Sequence, residues 1–129
     1  MRRLLVDVLY HYRQQDKFLL HEFVIMTDHL HLLITPTVTL ERAMQFIKGG
    51  FSYRAKKELG FVLEIWQPSF YDRRVRDVEE YFRFREYIRQ NPMKKGMVRL
   101  AEEYEYGSAW PRYELDGIPE TMRSVGISG

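Results

Sequence analysis

Between residues 3 and 15, Leu4, Leu5, Val8, Leu9 and Tyr12 recur at helical spacing, which predicts an amphipathic helix. The chain then changes period. Phe18 to Met26 is rich in aromatic and β-branched residues and reads as a strand. Thr27-Asp28 reads as a tight turn and His29 to Thr35 as a second strand, so the two form an antiparallel hairpin that Pro36 ends. Thr39 is a candidate N-cap with Glu41 in the first turn, and Leu40, Ala43, Met44, Ile47 and Phe51 return to helical spacing. Gly49-Gly50 is expected to interrupt or kink this helix, which resumes from Arg54 to Leu59 and stops at Gly60. Glu64 to Tyr71 reads as strand and loop. Asp77 caps a last long helix, roughly residues 78–90, ended by Asn91-Pro92. Val98 to Tyr104 reads as a short helix.

The order is helix, strand, strand, helix, strand, helix. One strand added at the front would give the βαββαβ order of a ferredoxin-like sandwich, an α+β fold with an antiparallel sheet. That first strand is missing from the pattern. Residues 1–116 are expected to form a single domain and residues 117–129 a mobile tail.

Alternation decides what the hairpin presents. Leu30, Leu32 and Ile34 point to one side, and His29, His31 and Leu33 to the other. If the first set faces the core, two imidazoles share the opposite face, and such a pair can hold a divalent ion. On the last helix Tyr87 and Asn91 stand at i and i+4, with Phe84 and Ile88 on the same stripe. A phenol is a candidate nucleophile when aided, and an amide oxygen is a candidate third ligand. Histidine pairs on strands are commonly structural, and a helix tyrosine commonly packs, so each feature is weak by itself. His11 and His21 show no partner pattern.

Composition narrows the chemistry. Of 129 residues, 45% are hydrophobic, enough for a core, and there is no cysteine for a disulfide or thiolate site. No apolar run approaches eighteen residues and no apolar leader opens the chain, so a cytoplasmic protein with no membrane partner is expected. Charge is uneven. Residues 42–76 carry eight basic against three acidic residues, and residues 100–129 carry two against six. A basic middle suits a polyanion, with Lys48, Arg54, Arg73, Arg74 and Arg76 as candidate DNA-backbone contacts. Lys48-Gly49-Gly50 sets glycines where backbone N–H groups could approach phosphates. Trp66 to Arg76 interleaves rings with guanidiniums, as a single-strand binder does.

Four blocks carry a resemblance: Phe23 to Ile34 around His29-Leu30-His31, Ala43 to Ser52, Trp66 to Arg73, and Tyr87-Ile88-Arg89-Gln90-Asn91-Pro92. In this order they resemble the HUH-type single-tyrosine transposases, above all the REP-associated tyrosine transposases of bacteria, over roughly residues 3–110. The resemblance implies a ferredoxin-like sheet with helices on one face. It implies Mg²⁺ or Mn²⁺ held by His29, His31 and Asn91, with Tyr87 as nucleophile. The reaction would nick and rejoin single-stranded hairpin DNA through a 5′-phosphotyrosine, and a homodimer exchanging the tyrosine helix would fit. Family members begin with a central strand beside the histidine strand. Here an upstream segment or a partner chain would have to fill that place, or the chain would fold poorly. Two other readings compete: a hairpin-binding protein that no longer cuts, and a metal-dependent hydrolase of a small phosphate ester.

Overall fold

The computed structural model describes residues 2–60 and 71–129. Its elements are α1 (Arg2–Gln14), β1 (Phe18–Ile25), β2 (Leu30–Pro36), α2 (Leu40–Leu59), β3 (Tyr71–Arg74), α3 (Val78–Lys94), a 3-10 turn at Ala101–Glu103 and β4 (Val125–Ser128). The strands form one four-stranded antiparallel sheet in the order β1-β2-β4-β3, an α+β fold. The expected strand and loop at 64–71 lie outside the described residues except for Tyr71.

Period-2 alternation sorts the sheet into two faces. Phe18, Leu20, Phe23 and Ile25 of β1, Leu30, Leu32 and Ile34 of β2, and Val125 and Ile127 of β4 form one core with α1 and α2. Val24, Leu33, Val75, Tyr81, Ile88 and Tyr104 form a second core beneath α3. The sandwich helices α1 and α2 thus share one face, and α3 covers the other. A bulge between Leu20 and Glu22 keeps both faces apolar, because it resets the alternation of β1.

Both helix starts follow their caps: Thr39 accepts from the Arg42 amide and Asp77 from the Glu80 amide. Gly60 closes α2 in the left-handed region, at φ 77°. Two expectations change. Pro92 lies inside α3, which continues to Lys94 rather than stopping at Asn91. Gly49-Gly50 does not interrupt α2, which is continuous from Leu40 to Leu59, and an added Cβ at Gly50 would stand 2.6 Å from the Tyr12 ring of α1. Gly50 therefore serves close helix packing. Its neighbours' N–H groups belong to the α2 ladder and are not open to phosphate.

The largest difference concerns residues 117–129. In place of a mobile tail, Val125–Ser128 forms β4, antiparallel to β2 on one side and β3 on the other. It occupies the central position that the βαββαβ order assigns to its first strand. The local pattern explains the fit. Ser124-Val125-Gly126-Ile127-Ser128 alternates polar or small with apolar, so Val125 and Ile127 reach the α1–α2 core. Gly126 faces α3, where an added Cβ would stand 2.4 Å from the Phe84 ring.

The preceding segment covers the outer edge of β1. Ile25 N–H donates to Tyr106 O, Ser108 N–H to Phe23 O, and Asp116 N–H to Leu20 O. Asp116 also holds Arg13 of α1 through two bonds of 2.9 and 3.0 Å and accepts the Leu20 amide at 2.7 Å. Burial alone would raise the Asp116 carboxyl, but Arg13 and the Leu20 amide outweigh it and hold the group below its ordinary value of 3.8. A carboxylate depressed on folding stabilises above its unfolded pKa and loses that contribution as pH falls through the folded value. Asp116→Asn is therefore expected to cost about 2 kcal/mol at neutral pH, with the difference from the parent shrinking below about pH 4. Urea unfolding at several pH values measures this, and a pH-independent difference would refute the assignment.

Candidate active site

The face under α3 carries the polar residues of the hairpin. His31 and Leu33 point to this side, as alternation predicts, with Leu33 in the α3 core. The contacts of α3 fix its direction. Tyr81 meets His21, Arg85 and Arg89 reach Glu22, and Tyr87 meets His31. The helix therefore runs along β1 in the same sense, and its later turns lie toward the hairpin end where His29 stands.

Three rings gather there. The His29 and His31 centroids are 5.2 Å apart and those of His31 and Tyr87 5.1 Å apart, both edge to face. Tyr87 remains 47% exposed, so its hydroxyl end is open to a large partner, while His31 is 9% exposed. Each imidazole has a local partner at Nδ1: Asp28 Oδ1 at 2.7 Å for His29 and Ser128 Oγ at 2.9 Å for His31. That arrangement leaves both Nε2 atoms for another ligand. Burial, with the neighbouring His29, lowers His31 to about 4, which keeps its ring neutral, the form that binds metal.

Asn91 stands one turn beyond Tyr87 toward the His29 end, 6% exposed. Its Oδ1 is buried without a hydrogen-bond partner among the described residues. A buried amide oxygen left unpaired costs about 1–3 kcal/mol, and a cation would satisfy it. Two imidazole nitrogens and one amide oxygen suit a small divalent ion. Among the described residues no cluster of three or more His, Cys, Asp or Glu side chains could do so.

The basic candidates separate. Arg73 lines a groove with Glu80, Arg83, Phe84 and Tyr87, beside the nucleophile candidate. Buried Glu80, in the first turn of α3, lies 3.6 Å from Arg73 and 3.4 Å from Arg76. Arg74 is paired in register with Val125, which faces the opposite core. Lys48 and Arg54 belong to α2 on that opposite side, and Arg54 is held by Glu58 at 2.8 Å. The structure thus brings Arg73 to Tyr87 and leaves Lys48, Arg54 and Arg74 away from it.

Sequence reasoning missed several groups. Arg83 is exposed in the groove. Glu22 is wholly buried and meets Arg89 at 3.2 Å and Arg85 at 3.7 Å. His21 joins a buried polar chain, from Asp116 O through the ring to Thr35 Oγ1 and on to Ser124 Oγ, which is structural. Arg85 and Arg89 at i and i+4, opposite a lone glutamate in a strand, are a legible signal after the event. Ser128 carried only the short alternation around Val125.

The fold is an α+β sandwich, and it sets paired histidines against a helix tyrosine. A family profile described as "Transposase IS200 like" matches residues 1–91, from α1 to Asn91, and the chain belongs to this family. Membership carries DNA as partner and DNA cleavage and transposition as the general activity. No curated protein and no solved structure matched the chain. No helix among the described residues is long and apolar enough to cross a membrane.

Proposed function

We propose that this domain nicks and rejoins single-stranded hairpin DNA, of the kind formed by repeated extragenic palindromes, through a covalent bond to Tyr87. The contact between His31 and Tyr87, made by elements distant in sequence within one chain, is the observation that carries this reading. His29, His31 and Asn91 would hold Mg²⁺ or Mn²⁺, which polarises the scissile phosphate and offsets developing charge.

The other steps fall to side chains. Arg73 and Arg83 border the groove at Tyr87 and hold the strand by its phosphates. Tyr87 Oη attacks phosphorus, a P–Oη bond forms, and the P–O3′ bond breaks. The phenol proton passes through water to the departing oxygen, which leaves as a 3′-OH. Attack by another 3′-OH reverses the exchange and frees the tyrosine.

The test incubates the protein with Mn²⁺ and an end-labelled single-stranded hairpin with its natural flanks, followed by a denaturing gel. A slow band that requires metal is expected. Binding without an adduct would overturn the cleavage reading and leave a hairpin-binding module. Turnover of small phosphate esters without an adduct would favour the hydrolase.

The groove gives a second check. Replacing Arg73 and Arg83 together by alanine is expected to weaken DNA binding and reduce the salt slope by about 1 per lost phosphate contact. Replacing Lys48 and Arg54 is expected to change affinity less than about twofold, since both lie across the sheet. The reverse ranking would move the DNA path to α2.

A further inference from the structure

β4 lies outside the family match at residues 1–91, yet one of its side chains reaches the site. Ser128 is in register with His31 across the β2–β4 ladder, so both side chains stand on the α3 face. Its Oγ is 2.9 Å from His31 Nδ1. The strand end cannot drift, because Gly129 and Leu30 exchange backbone bonds of 2.6 and 3.0 Å. On its other side Ser128 is in register with Tyr71 of β3.

A metal on Nε2 requires the imidazole proton on Nδ1, and an acceptor at Nδ1 fixes both tautomer and ring angle. The group in place to accept that proton from His31 is Ser128 Oγ, whose hydroxyl can equally donate to the other tautomer. We propose that Ser128 is a positioning residue, through which the C-terminal strand orients His31 for a divalent cation. The same strand sets the tyrosine helix, since glycine at 126 is what lets the Phe84 ring settle on the sheet. The central strand would thus align both halves of the site. This inference rests on the reading of His29 and His31 as a cation pair.

The experiment titrates Mn²⁺ into the full chain and into Ser128→Ala, Ser128→Thr and His31→Ala, and records the His31 ring nitrogen NMR shifts without metal. Ser128→Ala is expected to bind Mn²⁺ about tenfold more weakly, at the low end for a lost outer partner. Its His31 shifts should move toward the Nε2–H tautomer, while its melting curve stays close to the parent's. Ser128→Thr, which keeps the hydroxyl on a strand-compatible residue, should restore both. Parent-like affinity and shifts in Ser128→Ala would overturn the positioning role and leave the cation pair standing. Parent protein that binds Mn²⁺ no better than His31→Ala would overturn the cation reading, and this inference with it. If Ser128→Ala unfolds, Ser128→Thr decides: a folded threonine variant that has lost Mn²⁺ affinity overturns the role.

Discussion

Tyr87→Phe is expected to abolish the covalent DNA adduct, with cleavage reduced at least about 10³-fold and hairpin binding changed less than about twofold. The substitution removes one oxygen and keeps the ring. The edge-to-face contact with His31 survives, and so does the packing of α3. Because Tyr87 is an exposed residue whose hydroxyl has no hydrogen-bond partner among the described residues, little stability is at stake. A 10³-fold loss corresponds to about 4 kcal/mol of barrier, far above what a changed surface polarity would produce. Tyr104 supplies the contrast. Its hydroxyl donates to Ile25 O at 2.6 Å in a buried setting, so Tyr104→Phe should cost about 1 kcal/mol of stability and leave adduct formation in the folded fraction intact. A denaturing gel and a thermal melt on both variants separate the roles. An adduct in Tyr87→Phe would remove Tyr87 from the mechanism.

Much of this site was legible in the chain because its determinants are local. Alternation placed His31 opposite Leu32, and helical spacing placed Tyr87 and Asn91 on one stripe; each inference needs only neighbours a few residues apart. The caps at Thr39 and Asp77 are local in the same way. What stayed hidden depends on long-range pairing. β4 is four residues long and too short for a period to stand out, and a terminal segment with no clear period reads as a mobile tail. Its place in the sheet is decided by the gap between β2 and β3, which no local pattern encodes. Net charge along the chain is blind to faces for a related reason. The basic middle counts α2 and β3 together, although the sheet puts Lys48 and Arg73 on opposite sides. The role of Gly50 is not legible locally, because the Tyr12 ring beside it belongs to a different helix.

The buried glutamate yields the largest effect on stability. Glu22→Ala is expected to destabilise the fold by about 3 kcal/mol and to lower Tm by about 10 °C. Glu22 is on β1, just after the bulge, and faces α3 with no solvent exposure. Burial pushes its carboxyl up and Arg89 pulls it back, so the side chain depends on its guanidinium partners to stay ionised. Removing it strips Arg89 and Arg85 of their counter-charge at the sheet. Both arginines are partly exposed and can turn to water, which places the cost at the low end of the range for a broken buried pair. The two arginines flank Tyr87 in sequence, so their release should also loosen the proposed nucleophile. Adduct formation should therefore fall in Glu22→Ala even at temperatures where the protein remains folded. Two companions test the cause. Glu22→Gln keeps a hydrogen-bond acceptor and should lose less stability. Glu22→Met combined with Arg89→Met replaces the pair by apolar groups and should recover most of the loss, as buried ion pairs exchanged for hydrophobic packing commonly do. A Glu22→Ala protein melting within about 2 °C of the parent would show that α3 is held by its apolar face alone. Under that outcome Ile88 and Tyr81, not the ion pairs, would set where Tyr87 stands.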